Sequence, residues 1–509
     1  MSTASIVLDS AFTIGPVPQR LFGSFVEHMG RCVYTGIYEP GHPTADNRGF
    51  RSDVAALTRE IGPTVVRYPG GNFVSNFRWE DGVGPRAYRP RRLDLAWHSV
   101  ETNQFGLHEF VDWADAVGTE VMLAVNLGTR GLQEACDLIE YTNHSAGTYW
   151  SDRRITNGAP EPFDIKLWCL GNEMDGPWQV GHKTAAEYGR LANETGKAMR
   201  LIDGEIELVA CGSSNSLMPT FGAWEQTVLE LCYDTIDYLS LHAYYEEKDD
   251  DVASFLASAL NMDQFIESVV ATSDAVGAKL KNRKTLNLSF DEWNVWYTSR
   301  FAGDGPKPRE IDWQVHPRLI EDEYTVTDAV VVGTLLNSLL RHGDRVTIAC
   351  QAQLVNVIGL LRSEPGGEAW KQTIAYPFEQ MRRLARGQII QVVAQSDRYD
   401  SPSYTDVPLV DTSATYDAET GRAALFVAHR GLTETATFAA ELRGLGGRRV
   451  VGATTMHARG SQDRHVTNRE QHDAVTPQGF DAYELVDGQL TATLPPLSWT
   501  VFELEASRD

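Results

Sequence analysis

The sequence has no apolar run approaching the roughly 20 residues that cross a bilayer. Between Met1 and Arg20 there is no basic stretch followed by an apolar core, and Asp9 already stands there. Neither a membrane span nor a secretory leader is expected, so cytoplasmic residence is the default reading. Positive charge is scarce: 45 Lys and Arg face 69 Asp and Glu, a formal charge of −24. That balance opposes binding to phosphate backbones and anionic membranes, which excludes nucleic acid as an expected partner. A neutral ligand such as a sugar meets no such penalty. Cysteine is sparse and scattered over Cys32, Cys136, Cys169, Cys211, Cys232 and Cys350. With no C-x-x-C or Cys/His ligand spacing, neither a metal site nor a disulfide framework is expected, and these residues read as reduced, mostly buried small hydrophobes. No cofactor is implied, and no repeat, low-complexity tract or flexible linker is visible.

What is present is a long chain, 509 residues with 42% hydrophobic content. That exceeds what one core usually supports, so a large domain plus a smaller one is expected. From about Leu21 to Gly387, short β-rich runs alternate with segments of helical period. The runs are Phe22–His28, Val65–Pro69, Val121–Leu127, Lys166–Gly171, Glu207–Cys211, Tyr238–His242, Thr285–Phe290 and Val346–Gln353. Leu107–Val117 and Thr184–Leu201 read as helices between them. The pattern predicts an α/β fold, a (β/α)8 TIM barrel over residues 21–387. A doubly wound sheet is the rival, but the first β-α turn lacks G-x-G-x-x-G. Beyond Gly387 the helical period disappears. Ile389–Ala394, Ala423–His429, Thr435–Phe438, Arg449–Thr454 and Trp499–Leu504 read as a C-terminal antiparallel β-sandwich over residues 388–509. The opening residues 1–20, with Ser5–Ile14 strand-like, have no barrel role to fill and are expected to join it.

In such a barrel the active site gathers at the C-terminal ends of the strands. Strand four finishes in Gly171-Asn172-Glu173 and strand seven in Phe290-Asp291-Glu292. These two strands lie across the barrel, so their glutamates can face each other over one mouth. Two facing carboxyl groups are what glycoside hydrolysis requires, one to protonate the leaving oxygen and one to attack or to activate water. A gap of about 5–5.5 Å gives retention of configuration and one of roughly 6.5–9.5 Å gives inversion. In the retaining form, charge on Glu292 favours a protonated Glu173 for the first step, and Glu173 then serves as base. Taken singly, an Asn-Glu at a strand end reads equally as a solvated loop start or a helix cap.

Other strand ends add polar groups. Arg67-Tyr68-Pro69-Gly70-Gly71-Asn72 follows strand two, Glu27-His28 ends strand one, His242 and Tyr244 end strand six, and Gln353 and Asn356 follow strand eight. Such groups suit a ring of sugar hydroxyls. Trp97, Trp178 and Trp296 fall in loops near the same mouth and suit stacking on the apolar face of a sugar. The alternatives are a plain tight turn at Gly70-Gly71, a satisfied core imidazole at His242 and packing roles for the tryptophans. Arg67 in mid-strand needs charged partners and could orient Glu292.

Several segments together resemble a known family. They are Phe22-Gly23-Ser24-Phe25-Val26-Glu27-His28, Arg67 to Phe73, Trp168 to Gln179, Asp291 to Tyr297, and the closing Leu494-Pro495-Pro496-Leu497-Ser498-Trp499. They look like the α-L-arabinofuranosidases of glycoside hydrolase family fifty-one, retaining enzymes with a clan A type barrel. The resemblance implies Glu173 as acid/base and Glu292 as nucleophile. It implies Glu27, Asn72 and Asn172 as contacts to the arabinose hydroxyls, Tyr244 beside the nucleophile, Gln353 as a further sugar contact, and Trp97 and Trp296 at the entrance. It also implies no metal, release of terminal α-L-arabinofuranosyl units from arabinose-containing oligosaccharides, and a homo-oligomer, commonly a hexamer. Substrate preference is expected to vary between Tyr141 and Phe163 and over Phe301–Pro317. Two other readings stay open: an endo-acting retaining hydrolase on xylan or glucan, and a non-catalytic carbohydrate-binding barrel. For the C-terminal domain a structural role is favoured over a separate sugar-binding one.

Overall fold

The structure, a computed structural model, describes residues 2–303, 312–445, 448–458 and 463–506. After a first strand, β1 (Ser2–Pro16), the chain enters a closed barrel of eight parallel strands. They are β2 (Arg20–Phe25), β3 (Val65–Tyr68), β4 (Glu120–Val125), β5 (Leu167–Leu170), β6 (Glu207–Ala210), β7 (Tyr238–Tyr245), β8 (Asn287–Val295) and β9 (Val346–Gln351). Around the barrel the order is β8-β9-β2-β3-β4-β5-β6-β7. Each strand is followed by a covering helix: α1 (Ser52–Ile61), α2 (Leu107–Val117), α3 (Leu132–Asn143), α4 (Ala185–Ile202), α5 (Ala223–Cys232), α6 (Ala259–Leu280), α7 (Val326–Arg341) and α8 (Ala375–Leu384). The barrel expected from the eight runs is therefore found. Strands such as Val65–Tyr68 and Leu167–Leu170 are buried at every residue, because one face meets the barrel centre and the other the helices.

The helices begin where the sequence supplies caps. Thr184 accepts from the backbone of Glu187 while the Glu187 carboxylate accepts from the Thr184 N–H, so α4 starts with a capping box. Helix α7 is capped the same way by Thr325 and Asp328. Every residue of α7 from Val326 to Leu340 is buried. A helix buried all round needs cover on both sides, and the second domain supplies it.

That domain is one ten-stranded sheet. Its C-terminal strands are β10 (Gln388–Ser396), β11 (Val410–Asp417), β12 (Arg422–His429), β13 (Ala436–Arg443), β14 (Arg448–Met456), β15 (Gln478–Gly479), β16 (Tyr483–Val486), β17 (Gln489–Leu494) and β18 (Ser498–Ala506). The order is β15-β14-β18-β12-β11-β10-β1-β13-β17-β16. The rings of Phe438 on β13 and Phe502 on β18 stack at 6.5 Å, although five steps of the sheet separate their strands. The sheet therefore folds over on itself around a core that includes Ile6, Leu425, Phe438, Leu490 and Phe502. The expected sandwich needs one correction: β1 pairs antiparallel with β10 but parallel with β13. A strand arriving from the far end of the chain has no hairpin to fix its direction. The indole of Trp499 lies against Gly333 of α7, where an added Cβ would sit 2.4 Å from Cε3.

All six cysteines are free, and five are buried, Cys136 being only partly so. Among the described residues no helix is long and apolar enough to cross a membrane.

Candidate active site

Strand β8 does not stop at Phe290 as expected; it runs through Glu292 to Val295. Its pairing slips on both sides. Against β7, Ser289 pairs with Ser240 and Glu292 with His242; against β9, Phe290 pairs with Ala349 and Trp293 with Gln351. Three steps on β8 thus match two on each neighbour, which is a β-bulge. Consecutive residues of a regular strand face opposite sides, but here Asp291 and Glu292 both turn inward. Their partners show it: Asp291 lies against Arg67 and His242, and Glu292 against Arg67 and Tyr244. At the end of β5 the chain reverses through Gly171 at φ 90° and Glu173 at φ 44°. The left-handed conformation suits glycine; on a glutamate it is a local strain of the kind that gathers at functional sites.

The two ends meet. One carboxylate oxygen of Glu173, one of Glu292 and a ring nitrogen of His242 lie within 4.8 Å of one another. Each carboxylate is held from two sides. Glu292 accepts from Arg67 Nη1 at 2.7 Å and from the Tyr244 hydroxyl at 2.8 Å. Glu173 accepts from Trp178 Nε1 at 2.6 Å and bonds His242 Nδ1 at 2.9 Å. The other ring nitrogen of His242 lies 3.1 Å from Asp291 Oδ1. Burial works against a charged imidazole here, yet Glu292, Asp291 and Glu173 outweigh it and hold His242 up at about 10. It is therefore an imidazolium at neutral pH, with a carboxyl group facing each ring nitrogen. Burial also pushes Glu292 upward, against the pull of His242 and Arg67. A metal ion among these three groups would need His242 deprotonated and would meet the charge of Arg67 beside Glu292.

Around the carboxylates runs a second group of polar side chains. Glu27 accepts from the Phe73 N–H at 3.0 Å, Trp97 Nε1 at 2.8 Å and Gln353 Nε2 at 3.1 Å. Burial and the nearby charge of Glu292 nonetheless raise it to about 8. Gly70 and Gly71 are spared side chains for room rather than for a left-handed turn. A Cβ at Gly70 would lie 2.8 Å from Glu27 Cγ, and one at Gly71 would lie 3.2 Å from Glu292 Oε1. Asn172 accepts from Arg67 Nη2 at 2.7 Å and reaches Asn72 Oδ1 at 3.4 Å. Glu27, Asn72, Trp97, Glu173, Trp178, Tyr244, Glu292, Trp296 and Gln353 border one open cavity of about 1110 Å3, with Asn172 and His242 bonded directly behind its wall. A buried acceptor, Gln353 Oε1, has no protein partner.

Some expected contacts lie elsewhere. His28 is buried between Glu101 and Tyr68, and Asn356 bonds Arg31 and Ser363, so both serve local networks because their side chains turn away from the mouth. No residue of 142–162 borders the cavity; Arg154 there binds five backbone carbonyls. Of Phe301–Pro317, residues 304–311 lie outside the described residues, and none of 312–317 borders the cavity. No sequence pattern marks Asp291, whose role depends on the bulge, or the segment 246–258, which also borders the cavity.

Two family models match the chain: the alpha-L-arabinofuranosidase 1 domain over residues 57–265, and the alpha-L-arabinofuranosidase C-terminal domain over residues 291–498. The chain is 55% identical to an intracellular exo-alpha-(1->5)-L-arabinofuranosidase of Streptomyces lividans, over 98% of this chain and 75% of that protein. It is 49% identical to an exo-alpha-(1->6)-L-arabinofuranosidase of Bifidobacterium longum, over 99% and 98% of the two chains. Among solved structures it resembles a family 51 alpha-L-arabinofuranosidase of Bifidobacterium longum, with a TM-score of 0.94, 47% identity and 99% of each chain covered.

Proposed function

The chain belongs to the α-L-arabinofuranosidase family of glycoside hydrolases, and from that premise we propose that it removes terminal α-L-arabinofuranosyl units by double displacement. Its substrates are arabino-oligosaccharides or arabinoxylo-oligosaccharides, attacked from the non-reducing end. The observation that carries this reading is the approach of Glu173 and Glu292 oxygens within 4.8 Å, which falls short of the roughly 6.5–9.5 Å gap of inverting enzymes and suits direct attack.

In the first step a Glu292 oxygen bonds the anomeric carbon while Glu173 gives its proton to the departing oxygen. Arg67 and Tyr244 grip different oxygens of Glu292, which fixes the carboxylate plane for attack. Trp178, 47% exposed, yields its place on Glu173 Oε2 to the leaving oxygen. In the second step Glu173, now a carboxylate bonded to the His242 imidazolium, takes a proton from water, which displaces Glu292 and restores the starting configuration. Glu27, Asn72, Asn172 and Gln353 hold the furanose hydroxyls, with the free Gln353 Oε1 accepting from one of them; Trp97 and Trp296 close over the ring.

The names of several relatives place them inside the cell, and we extend that location to this chain, together with a homo-oligomeric, hexameric assembly. Residues 21–387 are taken as the catalytic domain, with 1–20 and 388–509 forming the sheet domain. Proton NMR of sugar released from defined α-1,2-, α-1,3-, α-1,5- and α-1,6-linked arabino-oligosaccharides tests the reaction and reads the linkage. The α-anomer is expected first; the β-anomer first would overturn double displacement.

A further inference from the structure

The cavity is larger than its chemistry at the carboxylates requires. A drug-sized ligand needs about 300–1000 Å3, and the space here is about 1110 Å3, well beyond one pentose ring. Its polar groups divide by position. Glu27, Asn72 and Gln353 follow β2, β3 and β9, which are neighbours in the barrel. The rest of the cavity opens past β6 and β7 on the opposite rim, where Ser216, Ser254 and Asn261 border it. Glu173, after β5, stands between the two parts. An acid that protonates a departing oxygen has the terminal sugar on one side and the leaving group on the other, so the compartment past β6 and β7 lies on the leaving-group side.

The outer wall of this compartment is not made by the barrel. Tyr404 and Ser403 border it from the sheet domain, on a segment between β10 and β11. The segment is built in place: Ser254 Oγ donates to Ser401 Oγ at 3.0 Å, Ser403 N donates to Ser254 Oγ at 3.1 Å, and the Tyr399 hydroxyl donates to Ala253 O at 3.0 Å. Two further links tie the same barrel loop to the sheet domain. Arg430 Nε donates to Leu256 O at 2.8 Å, and Arg464 pairs with Glu247 through both nitrogens at 2.6 and 2.7 Å. Inside, Asn261 reaches the Tyr245 and Ser216 hydroxyl groups. An aromatic wall beside a row of hydroxyl and amide groups is what an oligosaccharide recognises, through stacking on one side and hydrogen bonds on the other.

Building on the proposed arabinofuranosidase reaction, we infer that this compartment binds the leaving-group oligosaccharide beyond its first sugar, and that Tyr404 is a specificity-determining residue contributed by the sheet domain. The test compares kcat/KM on a linear arabinotriose with kcat/KM on an aryl arabinofuranoside, whose small leaving group does not reach the compartment. In Tyr404→Ala the ratio of the two falls about three- to tenfold, the range of one aromatic contact, while Tyr404→Phe keeps it. A ratio unchanged in Tyr404→Ala, whatever the absolute rates, overturns the inference. On the unaltered enzyme kcat/KM rises from arabinobiose to arabinotriose; a flat series overturns it as well, and needs no variant to fold. Failure of the unaltered enzyme to cleave the aryl arabinofuranoside would instead strike the proposed function itself.

Discussion

Asp291 and Glu292 are adjacent in sequence and yet share one cation: Arg67 lies 3.6 Å from Asp291 Oδ2 through Nε and 2.7 Å from Glu292 Oε1 through Nη1. The β8 bulge makes this possible by turning both side chains inward. The consequence is electrostatic. Glu173, Asp291 and Glu292 face Arg67 and the His242 imidazolium, three carboxylates against two cations, and all five are largely buried. An uncompensated buried charge is costly, so the cluster favours holding one more proton.

Asp291→Asn tests this balance. Removing one partner of a buried ion pair costs about 3–5 kcal/mol, so the urea midpoint falls. The variant also takes the anion from His242 Nε2 and from Arg67. The alkaline limb of the pH profile of kcat moves to lower pH, with KM changed little. A profile that keeps its shape would reduce Asp291 to packing.

Glu173→Ala loses about 10²–10⁴ in kcat/KM on unactivated oligosaccharides, the usual share of general acid catalysis, and far less on aryl arabinofuranosides, whose leaving group needs no proton. Azide separates the two glutamates. With Glu173→Ala it yields the α-glycosyl azide, and with Glu292→Ala the β-azide, both distinguishable by NMR.

The barrel was readable because its strands are buried on both faces and so appear as continuous apolar runs. Glu173 and Glu292 stood out because each follows such a run. The bulge was not readable: Ser289-Phe290-Asp291-Glu292 gives no period that separates an inward Asp291 from an outward one. Strand β11 was missed because Asp411, Thr412, Ser413 and Thr415 look like loop residues. They are buried all the same, since Ser413 bonds Asn337 and Asp411 bonds Arg341 on α7. The wall at Tyr404 depends on contacts across about 150 residues of chain, as between Ser254 and Ser401, which no local pattern reports.

Two titrations predict opposite pH effects on stability. His242 is raised from 6.5 to about 10 in the folded protein, its carboxylate neighbours overcoming burial. Its contribution is fully present below about 6.5 and is lost as pH rises through about 10. Asp263 is lowered, with Arg341 and His342 overcoming burial, so its contribution is present above the usual carboxylate range and lost as pH falls. Urea unfolding across pH should show His242→Gln flattening the alkaline side and Asp263→Asn the acid side.

Gly333→Ala predicts a loss where helix propensity alone predicts a gain. Alanine in a helix interior is better than glycine by about 0.5–1 kcal/mol, but at this position the new Cβ would sit 2.4 Å from Trp499 Cε3 and 2.7 Å from Cζ3. The indole cannot swing aside freely, because its Nε1 donates to Gln380 at 3.0 Å and the residue is 1% exposed. Overpacking of this kind costs about 1–3 kcal/mol, so the net effect is destabilising and falls on the contact between barrel and sheet domain. Trp499→Leu alone is destabilising through the cavity it leaves. Combined with Gly333→Ala it should cost less than the sum of the two, since each relieves the other. Tm and urea midpoints of the four proteins give the coupling directly, and strict additivity would mean that the two residues do not press on each other.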